Sequence, residues 1–122
     1  MEKKNIASRE EVKLLVNSFY EKVKKDEFLA PVFAHVYWPH HLPVMYNFWS
    51  SVLLGDMSYN GNPFSKHKEL PINSEHFSRW LDLFLETVDS EFNGPIAEEA
   101  KNRAKTIAAM FQYKMGLIEK AS

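Results

Sequence analysis

The sequence predicts an all-α domain, and three observations carry that prediction. Apolar residues recur at three- and four-residue spacing in four separate stretches, as they do on the buried face of a helix. No stretch of useful length alternates apolar and polar residues at period two, as a half-buried strand would. Glycine, proline and asparagine gather between the periodic stretches, at Asn60-Gly61-Asn62-Pro63 and at Asn93-Gly94-Pro95. With 122 residues, no internal repeat and no low-complexity tract, the chain (1–122) reads as a single domain.

The first helix begins at Ser8-Arg9-Glu10-Glu11, which has the capping-box form, with Glu11 three residues after Ser8. Val12, Leu15, Val16, Phe19 and Val23 form one buried stripe. Tyr20 lies at its edge, with its hydroxyl directed either to the interior or into water. The stripe is lost from Asp26 to Phe33, where Pro31 disfavours helix at Ala30 and a tight corner containing Phe33 is expected. Pro39 suits the first turn of a second helix. Pro43 lacks an N–H and predicts an irregular start, or a start only at about Pro43.

Met45, Phe48, Trp49, Val52 and Leu53 carry the second helix to Gly55, a natural C-terminal stop. One turn back from Met45, the same face reaches His41. Asp56 to Pro63 reads as loop, and Phe64 to Leu70 as one or two helical turns. Asn73 or Ser74 caps a third helix with Phe77, Trp80, Leu81, Phe84 and Val88 on one face. The last helix sets Ile96, Ala100, Ala104, Ile107, Phe111 and Met115 inward, with Glu98, Glu99, Lys101, Lys105 and Lys114 outward.

Composition removes several classes of function. The net charge of −1, with acidic and basic residues interspersed, gives neither a nucleic-acid footprint nor a polybasic membrane face. The absence of cysteine removes disulfides, thiolate metal sites and cysteine catalysis together. The opening Met-Glu-Lys-Lys-Asn-Ile-Ala-Ser lacks the apolar core of a signal peptide, and no stretch is long and apolar enough to span a bilayer. A cytoplasmic location is therefore expected. There is no glycine-rich phosphate loop, no His-Glu-x-x-His zinc helix, no serine nucleophile elbow and no Glu-x-x-His for a di-iron bundle. His35, His40 and His41 have no spacing that implies a zinc site.

What remains is a histidine between two aromatic helices. His67 lies in a short segment closed by Pro63 and Pro71, in a chain that is 14% aromatic. A haem site needs one axial nitrogen ligand, apolar walls on both faces and polar donors on the far side. The chain offers His67 for the first, and Phe33, Met45, Phe48, Phe64, Leu70, Phe77 and Trp80 for the second. Tyr20, His41 and the Trp80 indole N–H are available for the third. By pattern alone, the same aromatic stripes also suit a plain packed core.

Longer motifs tip that balance. Phe19-Tyr20-Glu21-Lys22-Val23, Pro31-Val32-Phe33, Asn47-Phe48-Trp49, Leu53-Leu54-Gly55, Tyr59-Asn60-Gly61-Asn62-Pro63, His67 with Leu70-Pro71, and Phe77-x-x-Trp80-Leu81-x-Leu83-Phe84 follow one another along nearly the whole chain. In order and spacing they resemble the truncated haemoglobins of group III. The resemblance implies a truncated globin fold, a two-over-two helical sandwich around a pocket for haem b. It implies that His67 is the proximal iron ligand, Tyr20 the distal tyrosine, Trp80 the distal tryptophan and Phe33 the corner phenylalanine that packs on the ring. His41, eight residues before Trp49, matches the distal histidine. Two departures stand out: Pro43 follows just after His41, and the interval from His67 to Trp80 is slightly short.

Several expectations follow from the resemblance. Lys66, Lys68 and Arg79 are candidate cations for the haem propionates. The protein is expected to be a monomer that reversibly binds oxygen or another diatomic gas, with no nucleic-acid or membrane partner. An alternative is an enzyme that detoxifies nitric oxide (a nitric oxide dioxygenase) or peroxide, drawing electrons from an external reductase. A third reading, a haem-free globin-fold interaction domain, is opposed by the retention of His67 and the distal donors.

Overall fold

The computed structural model describes residues 4–33, 37–56 and 74–114. Within them the chain forms α1 (Arg9–Lys25), a 3-10 turn (Ala30–Phe33), α2 (Trp38–Leu54), α3 (Ser74–Glu91) and α4 (Pro95–Lys114). The only strand-like pairing among the described residues is an isolated bridge between Lys4 and Phe92. Helix α1 packs on α2 and on α3, and α3 packs in turn on α4, so α1 is the centre of the assembly.

The predicted stripe makes α1 central. Val12, Leu15, Val16, Phe19 and Val23 are all buried, and Tyr20 is buried with them. Phe19 and Phe84 are essentially unexposed and meet edge-on at 5.2 Å. Trp49 stacks on Phe84 at 4.8 Å and Trp80 at 5.7 Å, so α1, α2 and α3 share one aromatic knot. Fully burying a side chain of this kind stabilises by roughly 1.5–3 kcal/mol. Ser8 marks the helix start as its motif implies, but not through a capping box. Its hydroxyl donates to the Glu11 carboxylate at 2.8 Å, and its carbonyl accepts from the Val12 N–H at 3.2 Å.

Helix α2 decides between the two starts expected at Pro43, in favour of the irregular one. The helix is continuous from Trp38, with Pro39 in its first turn and Pro43 inside it. The first turn tightens ahead of the ring, because the His40 and His41 N–H groups both reach the Tyr37 carbonyl, at 3.1 and 3.0 Å. One helical bond, to the Pro39 carbonyl, is forgone at Pro43. The helix ends at Gly55 in the left-handed region, with φ 69°, as its glycine implies. The loop from residue 57 and the segment Phe64 to Leu70 lie outside the described residues.

Helix α4 buries Ala97, Ala100, Ala104, Ala108 and Phe111, whereas Ile96 and Ile107 are only half-buried. The inward stripe is therefore displaced toward small residues, which let α4 approach α3 closely. Met115 lies outside the described residues. The N-terminal segment closes the other end of this pair. Asn93 N–H donates to the Lys4 carbonyl at 2.9 Å, and Ile6 is fully buried. The Asn5 side-chain oxygen accepts from the N–H groups of Ile96 and Ala97, at 2.9 and 3.2 Å, and so caps α4. Gly94, at φ +111°, leaves the space this cap needs, since a Cβ there would stand 2.9 Å from the Asn5 amide. No helix among the described residues is long and apolar enough to cross a membrane.

Candidate functional site

Three elements bring the candidate distal residues to one corner. Tyr20 sits on α1, Phe33 closes the 3-10 turn, and His41 lies in the second turn of α2. The Tyr20 ring stands 6.2 Å from Phe33 and 5.4 Å from His41, the latter nearly edge-on at 81°. Tyr20 is only 4% exposed. Burial alone pushes the phenol well above its ordinary pKa, so it stays a neutral donor.

Trp80 is placed one ring away. Phe19 separates the two, lying 4.9 Å from Tyr20 and 5.6 Å from Trp80. Trp80 is half-buried and packs against both the main core and a smaller cluster of Phe77, Ala108 and Phe111. Phe77 meets Phe111 at 6.3 Å within that cluster. Met45 is buried and Phe48 half-buried on α2, where Phe48 lies edge-on to Trp49 at 5.3 Å. Phe64, Lys66, His67, Lys68 and Leu70 lie outside the described residues.

Arg79, singled out as a cation for an anionic group, has a partner within the chain. Its Nη2 and Nε both reach Asp26 Oδ1 at 2.7 Å. Asp26 in turn accepts from the N–H groups of Phe28 and Leu29, at 3.2 and 2.9 Å. Burial raises the Asp26 carboxyl, but the Arg79 guanidinium and these two N–H groups outweigh it and hold it below the usual carboxylate range. One carboxylate thus ties the end of α1, the following corner and the helix that carries Trp80. Nothing in the sequence pairs residues 26 and 79, because a loop-to-helix contact has no periodicity.

Trp38 is the pocket residue that sequence reasoning missed. It is half-buried and lies 5.2 Å from Tyr20, 5.5 Å from His41 and 6.1 Å from Phe33. Its spacing of three from His41 on one helix was the available signal. Together the four residues make a largely apolar wall with a phenol and an imidazole set in it. That donor set fits a flat apolar group carrying a small polar ligand.

Known proteins with similar sequence or structure fall in one class. Residues 4–115 match the family model of the bacterial-like globins. A group 3 truncated hemoglobin of Campylobacter jejuni is 38% identical, over 89% of this chain and 94% of that one. The crystal structure of a group III truncated hemoglobin from Campylobacter jejuni aligns with a TM-score of 0.86 and 34% identity, covering 99% of each chain.

Proposed function

This chain belongs to the bacterial-like globin family, as a group III truncated haemoglobin, and on that premise we propose that it holds haem b and reversibly binds a diatomic gas such as oxygen. The observation that carries the reading is the buried Tyr20 ring, only 4% exposed and standing 5.4 Å from His41 among the rings of Phe33 and Trp38. Haem supplies the iron at which the gas binds. His67 would hold the iron through one ring nitrogen. Phe33, Trp38, Met45 and Phe48 exclude water and offer apolar surface. Tyr20 keeps its proton on the phenol oxygen and would donate a hydrogen bond to the bound gas, with Trp80 as a second donor. His41 stands at the same corner and donates when its ring turns inward. Lys66 and Lys68 are the cations left for the propionates, since Arg79 is engaged by Asp26.

The purified chain should take up haem and develop an intense Soret band that shifts on reduction and on addition of oxygen. His67→Gly should abolish native haem affinity. Unchanged affinity and spectrum in that variant would show that another residue is the ligand.

The pairing of a phenol and an imidazole at 5.4 Å favours a second reading. Two adjacent donors suit turnover of nitric oxide or peroxide, with a separate reductase supplying electrons. Mixing the oxygenated protein with nitric oxide should then yield nitrate and ferric protein that recycles with a reductant. Failure to recycle with any reductant tested leaves reversible binding as the description.

A further inference from the structure

Trp38 touches each residue of the distal corner, yet it is neither ligand nor donor in the function proposed above. Its ring stacks on Phe33 at 26°, tilts against Tyr20 at 56° and receives the His41 ring at 78°. The Lys24 ammonium stands 5.2 Å from the centre of the indole. Lys24 is itself held by Glu21 at 3.0 Å, one turn back on α1. The indole therefore has three rings around it and a tethered cation over it, and it occupies the first residue of α2. Pro39 fixes the backbone directly after it, and the His40 and His41 N–H groups both close on the Tyr37 carbonyl. The separation of the Trp38 and His41 side chains is thus set by a stiffened turn.

We propose that Trp38 is a positioning residue that fixes the His41 imidazole edge-on to Tyr20 and, with Lys24 over it, controls how readily a diatomic gas passes His41. The proposal rests on the haem reading above. It follows from what each contact constrains. An imidazole bounded by Tyr20 at 5.4 Å and Trp38 at 5.5 Å, both near perpendicular, has restricted rotation about its own side-chain bonds. Removing the indole frees that rotation and opens the wall on one side. Removing the cation alone leaves the wall in place but loosens the indole.

Two measurements on the full chain test this. The first is carbon monoxide rebinding after flash photolysis of the haem-loaded protein. Trp38→Ala should raise the association rate about five- to tenfold, the factor expected when ring contacts of ordinary strength are lost. Lys24→Gln should raise it by a smaller factor. Trp38→Phe, which keeps a ring in place, should return it to within about twofold of the wild type. The second readout is the NMR signals of the His41 ring, recorded in the diamagnetic carbon monoxide form and before haem is added. Trp38→Ala should move them toward solvent-exposed positions and remove their cross-relaxation with residue 38.

A packing role alone would lower the melting temperature and leave the association rate and the His41 signals at wild-type values. That result overturns the proposal. If Trp38→Ala does not fold, Lys24→Gln decides it by the same readouts: a wild-type association rate in that variant overturns the proposal. If the wild-type chain takes up no haem, the haem reading fails and the His41 signals alone settle the positioning claim: unchanged signals in Trp38→Ala refute it.

Discussion

Tyr20 shows how one polar atom can be informative when its surroundings are not. A Tyr20→Phe change keeps the buried ring and removes only its hydroxyl, so folding stability should change little. Oxygen dissociation should nevertheless speed up by about tenfold or more, because a hydrogen bond to a charged acceptor contributes about 1.5–3 kcal/mol. Stopped-flow dissociation paired with urea unfolding checks both halves, and an unchanged rate would shift the donor role to Trp80 or His41. Phe84 predicts the opposite pattern. Packed between Phe19, Trp49 and Trp80, it should cost about 3–5 kcal/mol when cut to alanine, seen as a fall in the urea midpoint. Both residues could be read from helical spacing. For Trp38 the spacing from His41 was the one signal, and its contacts with Tyr20 and Phe33 on two other elements left none.

At the scale of elements, the ends of helices carry the consequences. Asp26 has a carboxyl held below its ordinary value, so the ionised form is favoured in the folded state. Its stabilising effect is complete above the unfolded value, about pH 4, and is lost as pH falls through the lower folded value. Asp26→Asn keeps an acceptor for the Phe28 and Leu29 N–H groups but removes the charge. Its stability should therefore change less than the wild type's between about pH 5 and pH 3, as measured by denaturant titration at each pH. Arg79 is 46% exposed, so added salt should narrow the difference between the two proteins. At the other end, Gly94→Ala should destabilise by about 1–3 kcal/mol, from a strained backbone and a Cβ driven into Asn5. Thermal unfolding reads this directly. The helix bodies were legible in the sequence because burial repeats along them. At Pro43 the local rule left two starts open, and the tightened turn from Tyr37 is the irregular one.

For the whole molecule, the four helices among the described residues and the family resemblance were both readable from residue order. The cross-links between bodies were not, since Asp26 to Arg79 and Asn5 to α4 join distant residues and leave no pattern in either neighbourhood. Binding of haem to the folded state alone should stabilise the assembly by mass action. At haem concentrations of about a hundred times the dissociation constant this contributes about 2.7 kcal/mol, a rise in melting temperature on the order of 10 °C. Calorimetry with and without haem measures it, and no shift would mean that the folded chain has no preferential affinity. The Asn5 cap carries a consequence for the timing of synthesis. The residue that satisfies the first N–H groups of α4 is made 91 positions before Ile96. On the ribosome, Asn5 must wait through the production of α1, α2 and α3 before its partner exists, and α4 then emerges toward a capping group already at hand. Helix α4 is finished by a residue made long before it.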